Sequence, residues 1–303
     1  MGLEARIGIV PIVWNNADLG VPAAVVSADV VLDEVARIGY AGVQDGVGFP
    51  SGPALRDALA RRGLTLAEVY AALPCRPDGP PPDALEIGRR RLAALHEAGG
   101  DVLVVALGFS PGRLERAGRA TLPGTPSLSD TGWRRLAGTL DALALEARAL
   151  GHRMAFHAHA GTFVETPDEL DRVLGATEAG LVGACLDTGH WTVGGGDPVA
   201  AVREQGERIV HVHLKDVAAE PLRRIREGAI AGFLDALRAR IFTELGNGVV
   251  DVEGVIDALA SRDYAGWLMV EQDTTWRPPS ESAAIGRRAL ESALRGRRRV
   301  APA

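Results

Sequence analysis

Five of the seven histidines in this chain of 303 residues fall between positions 157 and 213, each at or beside the end of a short apolar run. Arg153-Met-Ala-Phe156 leads into His157-Ala-His159, Leu186 into Asp187-Thr-Gly-His190, and Arg208-Ile-Val210 into His211-Val-His213-Leu-Lys215-Asp216; a further run, Gly266-Trp-Leu-Met-Val270, ends at Glu271. Residues two apart on a strand point to one face, so His157 and His159 can aim at a common point beyond the strand that carries them. Imidazoles and carboxylates gathered at strand ends, with no thiolate among them, form a donor set for Mn²⁺, Co²⁺, Zn²⁺, Fe²⁺ or Mg²⁺ and do not select sharply among these ions. A single histidine in an apolar run is ordinarily a hydrogen-bonded core residue, but five at strand ends call for a common cause. His211 lies inside its strand, one layer below His213, and is expected behind the ligand. His96 and His152 are expected at the surface. Lys215 supplies a cation that could hold a substrate oxygen.

The elements that must position these groups are legible as alternating strands and helices. Strands are expected over 6–13, 41–45, 64–70, 101–107, 153–156, 180–186, 208–214 and 266–271, from their apolar and β-branched runs. Helices are expected over 30–38, 53–62, 83–98, 133–150, 166–174, 197–205, 233–242, 252–261 and 280–294, several opened by Ser, Thr or Asp and closed by Gly. Residues 108–130 read as one long loop of the kind that forms lids or binding segments. Eight such strands in one chain predict a single-domain α/β (β/α)₈ TIM barrel over residues 1–294, with a basic tail at 295–303. A doubly wound open sheet is disfavoured because no Gly-rich phosphate fingerprint follows the first strand. Active sites of (β/α)₈ barrels lie at the carboxyl ends of the strands, which is where His157, Asp187, His213 and Glu271 fall.

Composition narrows the partners. The net charge of −6 disfavours nucleic acid, whose binding calls for a basic surface. No run reaches the length of an apolar membrane span. The start lacks the pattern of a secretory signal, and Cys75 and Cys185 are too few for a disulfide framework, so a reducing cytoplasm is expected. A small-molecule ligand and a homo-oligomer fit this description.

Several segments together resemble a known family: Gly8-Ile-Val-Pro-Ile-Val-Trp-Asn-Asn16, His157-Ala-His-Ala-Gly-Thr162, Leu186-Asp-Thr-Gly-His190, Arg208-Ile-Val-His-Val-His-Leu-Lys-Asp216, Phe242-Thr-Glu-Leu-Gly-Asn-Gly248 and Tyr264-Ala-Gly-Trp-Leu-Met-Val-Glu-Gln-Asp273. The chain resembles the xylose-isomerase-like sugar isomerase and epimerase superfamily and, within it, is similar to the inosose dehydratases, which remove water from 2-keto-myo-inositol. The resemblance implies a metal held by His157, Asp187, His213 and Glu271, with His157 standing where much of the superfamily has a glutamate and His159 as a substrate-facing neighbour, although the two could be exchanged. It departs at the second strand, where dehydratases tend to carry Glu and this chain has Gln44 followed by Asp45.

The chemistry so implied is removal of a proton beside a ketone, with a divalent ion stabilising the resulting enediolate. His159, His190, Glu271 and Lys215 are the candidate proton-handling and catalytic groups, and Trp14, Asn15, Gln44 and Glu68 the candidate substrate contacts. Dehydration of a keto-inositol or related cyclic polyol is the first reading. Ketose 3-epimerisation or aldose-ketose isomerisation is the alternative, since all three reactions share the enediolate. An abasic-site nuclease and a non-catalytic sugar-binding barrel are the outlying readings.

Overall fold

A computed structural model of the chain describes residues 3–16, 18 and 24–298. Eight parallel strands close into a barrel: β1 (Arg6–Ile9), β2 (Gly42–Gln44), β3 (Thr65–Leu73), β4 (Val102–Leu107), β5 (Arg153–His157), β6 (Val182–Asp187), β7 (Ile209–Leu214) and β8 (Trp267–Val270), with β8 pairing back onto β1. The principal helices that follow them are α1 (Ala28–Ile38), α2 (Gly52–Ala60), α3 (Ala84–Ala98), α4 (Asp130–Ala149), α5 (Pro167–Ala176), α6 (Pro198–Gln205), α7 (Val252–Ala260) and α8 (Pro279–Arg298). The expected (β/α)₈ barrel is therefore the fold, and no helix among the described residues is long and apolar enough to cross a membrane.

The boundaries moved for identifiable reasons. β1 stops at Ile9 because Pro11 has no N–H for the ladder; Pro11–Val13 turn into a short 3-10 helix instead. α4 begins three residues earlier than expected, where the Ser129 side chain accepts from Gly132 N as an N-cap. α8 continues through Arg298, so four residues assigned to the tail belong to the helix; residues 299–303 lie outside the described set. A helix over Thr188–Val193 was not foreseen. Between β7 and α7 stand two further unforeseen pieces, a helix over Ala219–Arg226 and a two-stranded ribbon pairing Asp216–Val217 with Phe242–Thr243.

Inside the barrel the layers differ in chemistry. Trp267 plugs the amino-terminal end, its indole N–H donating to Asp101 Oδ2 at 2.8 Å and its ring covered by Arg6. Gly42 lets it in: a Cβ there would stand 2.4 Å from the Trp267 ring. Above the plug sit Glu68 and His211, both wholly buried. Asp187 and His213 stand above them, in register across β6 and β7. This stacking sets polar side chains toward the carboxyl end of the strands.

Candidate metal centre

The centre is built from four strand ends. Asp187 serves two purposes with its two oxygens: Oδ1 accepts from His190 N at 2.7 Å, capping the Thr188–Val193 helix, and Oδ2 is left for the barrel axis. That free oxygen lies 3.5 Å from His157 Nε2 and 3.8 Å from His213 Nδ1. Glu271 divides likewise, with Oε1 at 3.0 Å from Lys215 Nζ and Oε2 at 2.7 Å from His213 Nδ1. His213 is oriented from below by Glu68, whose Oε2 accepts from Nε2 at 2.9 Å and also pairs with His211. A carboxylate holding the far nitrogen of an imidazole fixes which nitrogen faces a metal.

The donor atoms meet a test that hydrogen bonding alone fails. Asp187 Oδ2, His213 Nδ1 and Glu271 Oε2 lie within 4.8 Å of one another, all buried, and none makes an aligned hydrogen bond among the described residues, although the Lys215 ammonium stands 3.3 Å from the first. Close approach without hydrogen-bond alignment is what lone pairs aimed at a shared point produce, and buried polar atoms left without partners cost stability unless something else satisfies them. The residues fit a divalent ion with nitrogen and oxygen ligands. A second group, Glu68 with His211 and His213, is as compact, but there one carboxylate oxygen already serves two imidazoles.

Electrostatics agree. Burial alone would raise the Asp187 carboxyl, but the Lys215 ammonium, then His190 and His157, hold it well below the usual carboxylate range. Glu271 is lowered in the same way by Lys215 and His213 against its burial. Asp273 shows the opposite: burial pushes its carboxyl up to about 8, against the pull of Lys215 at 2.7 Å. Here the carboxylates outnumber the cations, and a divalent ion would redress the balance.

Lys215 itself is wholly buried, within 3.3 Å of Asp187, Glu271 and Asp273 and 3.0 Å from His190 Nε2. Its aliphatic chain runs along Gly189, where a Cβ would come within 2.6 Å, which accounts for the glycine of the Asp-Thr-Gly-His segment. Asp216 is engaged elsewhere: it accepts four backbone N–H groups, from Val217, Gly246, Gly248 and Val250, and so shapes the turn ahead of α7.

Over the centre opens a cavity of about 300 Å³. His157, His159, His213 and Glu271 line it, together with Tyr70, Phe109 and Asp273. The His159 Nδ1–H faces the Ala160 carbonyl at 2.9 Å, which leaves Nε2 as the acceptor. Burial, then the charges of His157 and Lys215, push the His159 imidazole down to about 3, so it stands neutral. His190 packs on it with ring centroids 3.6 Å apart, and burial, then His159, keep it neutral too.

The expected site residues thus separate. His157, Asp187, His213 and Glu271 converge, and His159, His190 and Lys215 surround them. Asn15 and Gln44 line the cavity, although the Asn15 amide is engaged with Val26 and Val47 backbone. Trp14 lies behind the wall, its indole N–H bonded to Glu34, and Glu68 lies below His213, outside the cavity. Sequence reasoning passed over Asp18, Tyr70, Phe109 and Asp273 as cavity residues. Asp273, two residues beyond Glu271 and on the same side of an extended chain, is the one a period-two reading would have found.

The xylose isomerase-like TIM barrel family matches residues 32–293. The chain is similar to the rhizopine catabolism protein MocC of Rhizobium meliloti, at 35% identity over 94% of this chain and 87% of that protein. It is similar to an inosose dehydratase of Clostridium botulinum (strain Alaska E43 / Type E3), at 31% identity over 95% of this chain and 97% of that protein. Among solved structures, an L-ribulose 3-epimerase shares the fold, with a TM-score of 0.70 at 20% identity and 98% of each chain covered.

Proposed function

The chain belongs to the xylose isomerase-like TIM barrel family, and from its site we propose that it is a metal-dependent hydro-lyase that dehydrates a keto-inositol or a related cyclic polyol ketone. The observation that carries this reading is the convergence of three buried donor atoms without an aligned hydrogen bond, Asp187 Oδ2, His213 Nδ1 and Glu271 Oε2, beneath a cavity of about 300 Å³ that suits a single polyol ring. His157, Asp187, His213 and Glu271 would hold one divalent ion, Mn²⁺ or Co²⁺ by preference. When bound, that ion supplies Lewis-acid polarisation of the substrate ketone.

The chain's own residues divide the remaining work. His159, neutral and with Nε2 unprotonated, takes the proton beside the ketone. His190 stacks on it and faces a donor at each nitrogen, Ala160 N at 3.3 Å and Lys215 Nζ at 3.0 Å. A neutral imidazole carries one N–H, so one of these contacts must yield. Asp187, Asp273 and Glu271 hold the Lys215 ammonium well above its ordinary range against its burial, so Lys215 keeps its proton, His190 Nε2 accepts from it, and the His190 ring is thereby fixed against His159. The Tyr70 phenol, kept protonated by burial, lines the same cavity and supplies an O–H for the departing hydroxyl. Phe109 packs edge-on to His159 and covers it from solvent. The free thiols Cys75 and Cys185 fit an enzyme of a reducing cytoplasm that serves inositol breakdown.

Incubation of the Mn²⁺-loaded protein with 2-keto-myo-inositol in D₂O tests the assignment. Loss of water from the substrate is expected. Deuterium entering a substrate that keeps all its hydroxyls, with or without a change of configuration, would instead make the protein an epimerase or isomerase.

A further inference from the structure

The cavity also carries polar residues that the reaction proposed above does not use. Asn15, Asp18, Gln44 and Asp45 are among its lining, to which no lysine or arginine contributes. Lys215 lies behind the wall among three carboxylates. Arg91 is engaged with Asp45 and with the Tyr70 carbonyl. Asp45 is itself satisfied, with Oδ1 accepting from Tyr70 N at 3.4 Å and Oδ2 paired with Arg91.

Asp18 is the exception. No described residue donates to its carboxylate, yet its backbone is held in place: its N–H donates to Asn16 Oδ1 at 2.6 Å, and Asn16 Nδ2 donates to the Asp273 carbonyl at 2.5 Å. The Asn16 amide thereby straps the loop after β1 to the loop after β8 and presents Asp18 to the cavity. A partly buried carboxylate with four lone-pair positions and no donor among the described residues can accept O–H or N–H groups from whatever enters. An anionic group brought against that carboxylate would meet like charge at reduced dielectric, and the Lys215 charge that reaches Asp18 is already shared among Asp187, Glu271 and Asp273.

We infer that Asp18 is the specificity-determining residue of this cavity: it accepts hydrogen bonds from hydroxyls of an uncharged ring polyol and turns away carboxylated or phosphorylated rings of the same size. The inference rests on the reading above that the cavity takes a cyclic polyol. It differs from that reading in naming what the cavity excludes and which side chain excludes it.

Titration calorimetry with myo-inositol and quinate, two cyclohexane polyols of which only the second carries a carboxylate, tests it on the Mn²⁺-loaded wild type and on Asp18→Asn. The wild type binds myo-inositol and gives no heat with quinate. Asp18→Asn binds myo-inositol about tenfold more weakly, acquires measurable quinate binding, and raises KM for 2-keto-myo-inositol about tenfold while kcat stays within about threefold. Asp18→Ser, a second uncharged variant, behaves the same way, and unchanged melting temperatures show that both variants fold. Unchanged affinities and KM in the two variants, a fall confined to kcat, or tight quinate binding by the wild type would overturn the inference. Asp18-dependent preference for myo-inositol without dehydration of 2-keto-myo-inositol sinks the assigned reaction and leaves the inference standing. Normal dehydration with indifferent Asp18 variants sinks the inference alone, and a wild type that binds neither ring sinks both.

Discussion

The two halves of the barrel rim are built on different terms. β5, β6, β7 and β8 end in His157, Asp187, His213 and Glu271, so the strands themselves deliver the reactive groups and the ladder fixes their spacing. β1 to β4 deliver mostly apolar wall, such as Leu107, with Gln44 and Tyr70 as the polar exceptions, and the rest of their lining comes from loops and turns: Asn15, Asp18, Asp45 and the apolar Phe109. Strand ends are rigid to a fraction of an ångström, which ligand geometry needs, whereas loops can differ in length and sequence without disturbing the ladder. Chemistry on the one half and selection on the other is the arrangement this predicts.

Breaking the first half should have the largest effect. His213→Ala removes a nitrogen that stands between Asp187 and Glu271, and is expected to lose both the bound ion and measurable turnover; elemental analysis beside a kinetic assay reads both, and retention of the metal would count against the ligand set. The seam between the halves comes next. Arg113, 1% exposed, forms a bidentate pair with Glu169 at 2.8 Å and ties the loop after β4 to the start of α5. Arg113→Ala leaves that carboxylate without its cation and should destabilise the fold by about 3 kcal/mol, measured by urea unfolding.

Smaller effects sharpen the contrast. Glu68→Gln keeps a hydrogen bond to His213 but removes the charge behind it, and metal affinity should fall by about 10- to 100-fold with an unchanged circular dichroism spectrum. A selective half behaves differently: Gln44→Ala should raise KM by a few-fold, about what one exposed hydrogen bond contributes, and leave both metal content and kcat alone. The least effect concerns pH. Glu165 accepts Gly118 N at 2.7 Å and Gly161 N at 2.8 Å, and burial pushes its carboxyl from 4.5 to about 7. Since the folded state holds that proton more firmly than the unfolded chain, this group's contribution to stability is lost as pH rises through that window. Glu165→Gln should lower Tm, yet flatten its decline between about pH 5 and pH 7.

The same contrast explains what could be read from the sequence. The metal-facing half was legible because its residues sit in short apolar runs, where the period of two and the strand end determine the direction of His157, Asp187, His213 and Glu271. Glu68 also lies in a strand, but its place beneath His213 depends on the stagger between β3 and β7, which spacing along one segment does not reveal. Trp14 looked like a cavity wall because it follows β1, until the break at Pro11 turned its indole toward Glu34. Asp18 carried no signal at all: its position depends on the Asn16 amide reaching Asp273, 257 residues along the chain.

Anomalous diffraction from crystals of the Mn²⁺-loaded protein, collected at the manganese edge, tests the central claim most directly. A single peak is expected in the space bounded by Asp187 Oδ2, His213 Nδ1, Glu271 Oε2 and the His157 ring. A peak among Glu68, His211 and His213, or no peak between the four strand ends, would contradict it.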